Sequence, residues 1–203
     1  MAYRHTEKIL ARKAEVRQRV LDTAFALVGT GGFGALSIQA VATGAGIATG
    51  AVYLHFPSKA ELCAEVFRIA TEREVAVVRN AAQASGTPTQ RLSQAVLVFA
   101  ERALRGQRMA YALIAEPVDP VVDAERLYYR QAYAQVFEQL VREGVESGSF
   151  AAQDATVSAA ALVGVIAEAL TGPLSAQQPL HAVPNPLIAS IQGFCLRAVG
   201  AQT

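Results

Sequence analysis

Apolar residues in this chain recur at helical spacing from end to end and nowhere alternate over the length of a strand. Val16, Val20, Leu21, Ala24, Phe25 and Val28 share one face of a helix over 14–28, and glycines 29, 31, 32 and 34 are expected to end it. A second, short helix begins at Ser37, a good N-cap, and turns Ile38, Val41 and Ala42 inward before stopping at Gly44 to Gly46. A third covers 49–55 and is stopped by Phe56-Pro57. Ser58-Lys59-Ala60-Glu61 has the S-x-x-E form of a capping box and opens a long fourth helix to 82.

The same punctuation continues downstream. Thr87-Pro88-Thr89-Gln90 launches a helix to 104, a short one follows over 109–115, and Asp119-Pro120 starts another that reaches 146. A very apolar helix over 154–170 is expected to end at Gly172-Pro173, with a loop over 173–184 and a last helix from Asn185-Pro186 to 199. The class is therefore all-α with nine helices: a three-helix head, 12–70, holding a helix-turn-helix at about 37–56, and a larger helical body, 71–203. At 203 residues, 52% hydrophobic and 17% charged, the chain has the length and apolar content for a sizeable core.

Several function classes fall away. The two cysteines, Cys63 and Cys195, sit in apolar helical patterns without a CxxC partner or a neighbouring histidine, which speaks against a metal site and fits a reducing compartment. With only His5, His55 and His181, and no Ser/His/Asp set or P-loop, the chain does not read as an enzyme, and no cofactor is expected. Gly29-Thr30-Gly31-Gly32-Phe33-Gly34 fits G-x-G-x-x-G, yet a helix precedes it and Leu54, not an acid, stands twenty positions on. The opening MAYRHTEKILARK has no apolar stretch behind its charges, so it is not a signal peptide, and the longest apolar stretch, about 157–167, is too short to span a bilayer. A cytoplasmic protein without membrane contact is expected.

Net charge is only +1, but it is unevenly placed. Residues 1–60 carry seven Lys/Arg against three Asp/Glu, a net of +4, and the remainder carries eleven against fourteen, a net of −3. A basic head on an acidic body is the distribution expected if the head alone meets phosphate. The arm residues Arg4, Lys8, Arg12 and Lys13 fit either groove or phosphate contact or a simply solvated tail.

The second and third helices with the turn between them have the proportions of a DNA-binding helix-turn-helix. Within it stand Ala42, Ala45-Gly46-Ile47, Gly50, Val52-Tyr53, His55-Phe56 and Ser58-Lys59-Ala60-Glu61-Leu62, approached by Phe25 and Gly32-Phe33. In these residues the chain resembles the tetracycline-repressor (TetR) family of bacterial regulators. The resemblance implies a dimeric repressor that binds a double-stranded DNA operator and responds to a small-molecule effector. Gln39 and Thr49 are its candidates for base edges, a Gln amide suiting adenine. Ile47, Val52 and Phe56 are expected to pack inward while Thr49, Gly50, Tyr53 and His55 face outward. Gly50 lets backbone approach a phosphate at a helix N-terminus, Tyr53 offers a ring to a thymine methyl and a hydroxyl to phosphate, and His55 and Lys59 donate to phosphates. Ser37 caps the second helix and is a further phosphate ligand. Many relatives have Ser or Thr where Ala48 stands, so one hydroxyl at the start of the third helix is missing here.

For the body, the resemblance implies an effector site and a homodimer interface through the last two helices, about 153–199. The eighth helix is small-sided (Ala159, Ala160, Ala161, Gly164, Ala167), and the ninth offers Leu187, Ile188, Ile191, Phe194, Cys195 and Ala198. Candidate pocket residues are Phe99, Tyr111, Tyr129 and Tyr133 with the polar Arg102, Glu116 and Glu168, favouring an apolar or aromatic effector. A ligand-insensitive regulator or an activator would use the same head.

Overall fold

A computed structural model of the chain describes residues 2–175 and 185–201, and these form nine helices and no strand. The first, α1 (Ala2–Ala35), outruns its apolar face at both ends. The basic arm continues it at the front; behind Val28, Gly29 and Gly31 stay helical and the break comes at Gly32 alone, with φ 73° and ψ −174°. That conformation belongs to glycine. Phe33 and Leu36 beyond the break are 5% and 0% exposed, and their burial offsets the ~1 kcal/mol that each helical glycine costs relative to alanine.

Helices α2 (Ile38–Ala45) and α3 (Thr49–Tyr53) follow, joined through Gly46, which takes the left-handed conformation at φ 65°. The third is shorter than its sequence pattern predicts, because Leu54 and His55 leave it as a turn before Phe56-Pro57. Helix α4 (Lys59–Ala82) starts on Ser58, whose Oγ accepts from the Glu61 N–H at 3.1 Å. The body adds α5 (Pro88–Arg105), with both bonds of its Thr87–Gln90 capping box formed, then α6 (Gln107–Ile114) and α7 (Pro120–Glu146).

Two helices close the fold, α8 (Ala155–Ser175) and α9 (Asn185–Ala198). Contrary to expectation, α8 runs through Gly172-Pro173. Proline removes a single N–H bond, and the Gln107 side-chain amide donates to the Pro173 carbonyl at 3.1 Å while Leu174 beyond it is 2% exposed. The rest of the expected loop, 176–184 with His181, lies outside the described residues. At 21 residues, with a mean hydropathy of 1.7 over its most apolar window, α8 is longer than the apolar stretch read from sequence, and by length and composition alone it could cross a bilayer. It packs instead against α5, α6, α7 and α9 and buries Leu162, Ile166 and Leu170 among them.

One apolar core runs without interruption from Val20 and Val41 in the head to Cys195 and Val199 at the far end. α4 threads both halves, resting on α1 at its start and on α5 and α7 further along. Burial pushes the free thiols of Cys63 and Cys195 up to about 11, so both stay protonated and inert.

A chain of ion pairs ties the head to the body. Glu65 on α4 accepts from Arg17 of α1 with one oxygen and from Arg68 with the other, and Arg68 Nε lies 3.7 Å from Glu125 of α7. The Arg17 guanidinium also covers the Phe56 ring, 5.0 Å from its centroid, so this head cation is engaged internally. Burial alone would raise the Glu65 carboxyl, but the hydrogen bonds and charges of Arg17 and Arg68 outweigh it and hold it below the ordinary 4.5. The folded chain therefore binds this proton less readily than the unfolded one, and the associated stability, complete above 4.5, is lost as pH falls through the folded value. Melting temperatures measured from about pH 6 down to about pH 3 are expected to fall more steeply for the native chain than for Glu65→Gln; parallel curves would remove Glu65 from the acid response.

Candidate nucleic-acid interface and inner cavity

The helix-turn-helix is anchored from inside. Val41, Val52 and Phe56 are 0%, 0% and 3% exposed, and Gly44 sits so close to α1 that an added Cβ would lie 2.5 Å from Thr23 Cγ2. Ser37 Oγ accepts from the Ala40 N–H at 3.1 Å and caps α2, whereas Ala48, at the head of α3, has no side-chain cap.

On the outer side, Ser37 and Gln39 stand at the start of α2, Thr49, Gly50 and Tyr53 line α3, and Lys59 opens α4, all exposed; His55 is half-buried in the turn between. Nothing lies within 4 Å of a Cβ built on Gly50, so another molecule's backbone has room to approach it. The sequence reading missed Leu54, which is 83% exposed beside Tyr53. Its signal was the single residue step beyond an outward tyrosine, masked by the expectation that helix three continued.

Behind the head, α4 to α8 together with Phe25 of α1 line a cavity of about 240 Å³. Of the candidate pocket residues, Phe99, Arg102, Tyr129 and Tyr133 line it. Arg102 is held in a two-pronged pair with Glu74, at 2.6 and 2.8 Å. The Tyr129 hydroxyl donates to Glu72 at 2.9 Å, and burial together with that carboxylate pushes its ionisation well up; burial does the same to Tyr133. Phe67, Thr71, Arg126 and Arg130 also line the cavity and were not singled out from sequence. Thr71, 5% exposed, keeps a buried Oγ1 without a partner among the described residues. Helical phase on α4 is the signal that would have found Phe67 and Thr71, four residues apart on its inward face.

The remaining three candidates are elsewhere. Tyr111 packs half-buried against the core off the cavity face of α6. Glu168 is exposed, in an outer groove between α7 and α8. Glu116 reaches back to the head: its two oxygens accept from the Phe33 and Gly34 N–H groups at 3.1 and 2.9 Å. A Cβ on Gly32 would lie 2.3 Å from the same carboxylate, so the glycine kink in α1 is the niche that holds it. Arg108, also near the head, donates to the Gly31 carbonyl at 3.1 Å. With both N–H groups occupied by Glu116, the G-x-G-x-x-G string is a helix-end contact.

Residues 20–66 match the family model described as bacterial regulatory proteins, tetR family. Residues 85–171 match the tetracyclin repressor-like C-terminal domain. The chain belongs to the TetR family. Among its TetR-family relatives is the HTH-type transcriptional repressor KstR of Mycolicibacterium smegmatis, 42% identical over 79 residues, a match covering 39% of this chain and 39% of that protein. KstR2 of Rhodococcus jostii is 28% identical over 142 residues, covering 68% of this chain and 69% of the relative. The described fold superposes on the fatty acid degradation regulator FadR of Bacillus halodurans with a TM-score of 0.77 at 17% identity, covering 92% of this chain and 97% of that one. FadR of Bacillus subtilis, solved in complex with stearoyl-CoA, gives 0.74 at 16% identity, covering 92% and 99%; RolR in complex with resorcinol gives 0.71 at 19%, covering 95% and 91%.

In this TetR-family chain the α8–α9 surface divides into two sets. Ala159, Ile188, Ile191 and Cys195, which the sequence reading offered to a partner, are buried in the chain's own core. Val157 and Phe194 are 65% and 48% exposed, with Ala160, Ala161 and Gly164 open beside them on α8.

Proposed function

We propose that this chain is a homodimeric transcriptional repressor that grips a palindromic operator through α2 and α3 and leaves it when a largely apolar effector occupies the inner cavity. The observation that carries the reading is the outward set Ser37, Gln39, Thr49, Gly50, Tyr53, His55 and Lys59 on a helix-turn-helix whose apolar side is buried in the same core that surrounds the cavity. Residues 12–70 supply DNA contact in this reading and 71–203 supply effector and dimer contacts. The curated relatives named above are repressors, and solved neighbours hold stearoyl-CoA or resorcinol. Phe194 and Val157, with the small residues between them, are the surface for a second copy, which sets two recognition helices in successive major grooves. It acts in the cytoplasm as a regulator, not as an enzyme.

The effector works by preferring the dimer geometry that does not fit the operator, which shifts the population away from DNA. Sequencing genomic fragments retained by the native protein and by a Tyr53→Ala/Lys59→Ala variant tests the head. A short palindrome is expected with the native protein alone, with affinity for it at least about tenfold weaker in the variant. Recovery of the same unenriched DNA by both proteins would overturn the assignment.

A further inference from the structure

At about 240 Å³ the inner cavity lies below the roughly 300–1,000 Å³ usual for ligand pockets. It is not closed on all sides. Ile114, Arg126, Arg130, Val163 and Ala167 line both this cavity and a larger groove of about 680 Å³ between α7 and α8, so the two compartments share a wall. A ligand that fills the inner space meets the groove across these shared residues.

The polar character of the shared wall comes from two arginines. Arg126 is fully engaged: its guanidinium donates to the carbonyls of Leu113, Ala112 and Glu116, at 3.0, 3.3 and 2.7 Å, and to Asp123 at 3.0 Å. Burial first, and the neighbouring Arg130 charge with it, hold its pKa below the ordinary value despite Asp123. Arg130 itself has no ion pair or hydrogen bond among the described residues. Glu168 lines the outer groove but not the inner cavity, and lies beyond ion-pair distance of Arg130. A cation that is exposed and unpaired among the described residues thus stands on the wall that the two compartments share.

Resting on the effector reading above, we infer that the site takes an elongated amphiphile, its apolar body in the inner cavity and an anionic end group against Arg130. A carboxylate or phosphate there makes the charge-assisted bond that Arg130 lacks. An apolar chain supplies the inner contacts, beside Phe67, Phe99 and Leu113. A compact neutral aromatic would occupy the inner space and leave the arginine unused.

The test uses the full chain and a matched set of twelve-carbon probes kept below their micelle concentrations: laurate, methyl laurate and dodecylamine, with lauroyl-CoA to separate a free acid from a phosphorylated carrier. Titration calorimetry is expected to rank laurate or lauroyl-CoA at least about tenfold tighter than methyl laurate, with dodecylamine weakest. Arg130→Gln, a surface change, is expected to abolish that preference while leaving methyl laurate unaltered. Ala110→Leu, which fills the inner cavity, is expected to weaken every probe. Equal binding of laurate and its ester, or a preference that survives Arg130→Gln, overturns the proposal. So does failure of all four probes to bind at a single site, and operator recovery by the same preparation then shows whether the regulator reading stands without it.

Discussion

Glu116→Ala is expected to cost the folded protein about 2–3 kcal/mol, a large loss for a half-buried side chain outside the head's own helices. Its carboxylate accepts two main-chain N–H bonds across the Gly32 kink, at 3.1 and 2.9 Å. Hydrogen bonds to a charged group are worth about 1.5–3 kcal/mol each. Phe33 is 5% exposed, so its N–H has poor access to water once the acceptor is gone, while exposed Gly34 recovers part of its loss from solvent. In a chain of this size the loss corresponds to a drop of about 4–12 °C in melting temperature. Glu116→Gln keeps one acceptor oxygen and brings a donor up against a donor, so it should fall between alanine and the native residue. Urea titrations of the three proteins decide the matter, and an alanine variant within about 0.5 kcal/mol of native would mean that the contact stabilises nothing.

Phe67→Ala is expected to be more damaging still, by about 3–5 kcal/mol. The ring is 1% exposed and lies between Phe33, 6.4 Å away between centroids, and Tyr129, 6.2 Å away. It therefore joins the end of α1 to α7 through α4, and it is also part of the cavity wall. Truncation removes both aromatic partners and enlarges a space that is already open, so the surroundings have little to collapse onto. Phe67→Leu should recover most of the loss. The readout is the denaturation midpoint at unchanged slope, with an apolar cavity ligand expected to restore stability to the alanine variant. A midpoint shift worth less than about 1 kcal/mol would show that the ring is not a working part of the core.

Most of the fold was legible because its punctuation is chemical. Thr87-Pro88-Thr89-Gln90 forms its capping box, Asp119 Oδ1 accepts from the Val121 N–H at 3.0 Å, and Ser37 and Ser58 cap where their spacing says they must. The misreadings share a cause. Glycine and proline weaken a helix by amounts that tertiary burial can exceed, so Gly29, Gly31 and Pro173 did not end the helices they stand in, while Leu54 and His55 left theirs early. The outward head residues were readable because one short motif fixes their phase. The cavity was harder: its wall is assembled from six helices, and periodicity on one helix does not say which neighbour it faces. Glu116 shows this plainly. Grouped with Arg102 and Glu168 as a polar pocket candidate, it has as partners backbone N–H groups more than eighty residues away, which no side-chain pattern records.

The expected division between head and body, at 70–71, falls inside α4, between Ala70 and Thr71, which are 8% and 5% exposed. That joint therefore cannot serve as a seam for exchange. A head transplanted at residue 70 would bring half a helix whose remaining turns belong to another protein's core, and it would leave behind the Glu116 contact that closes its own first helix. Under the proposed function, recombination that trades operator preference against effector preference has to carry α1 to α4 with residues 107–116, or swap single outward residues one at a time. The head is not a cassette, because its first helix is closed by a residue of the body.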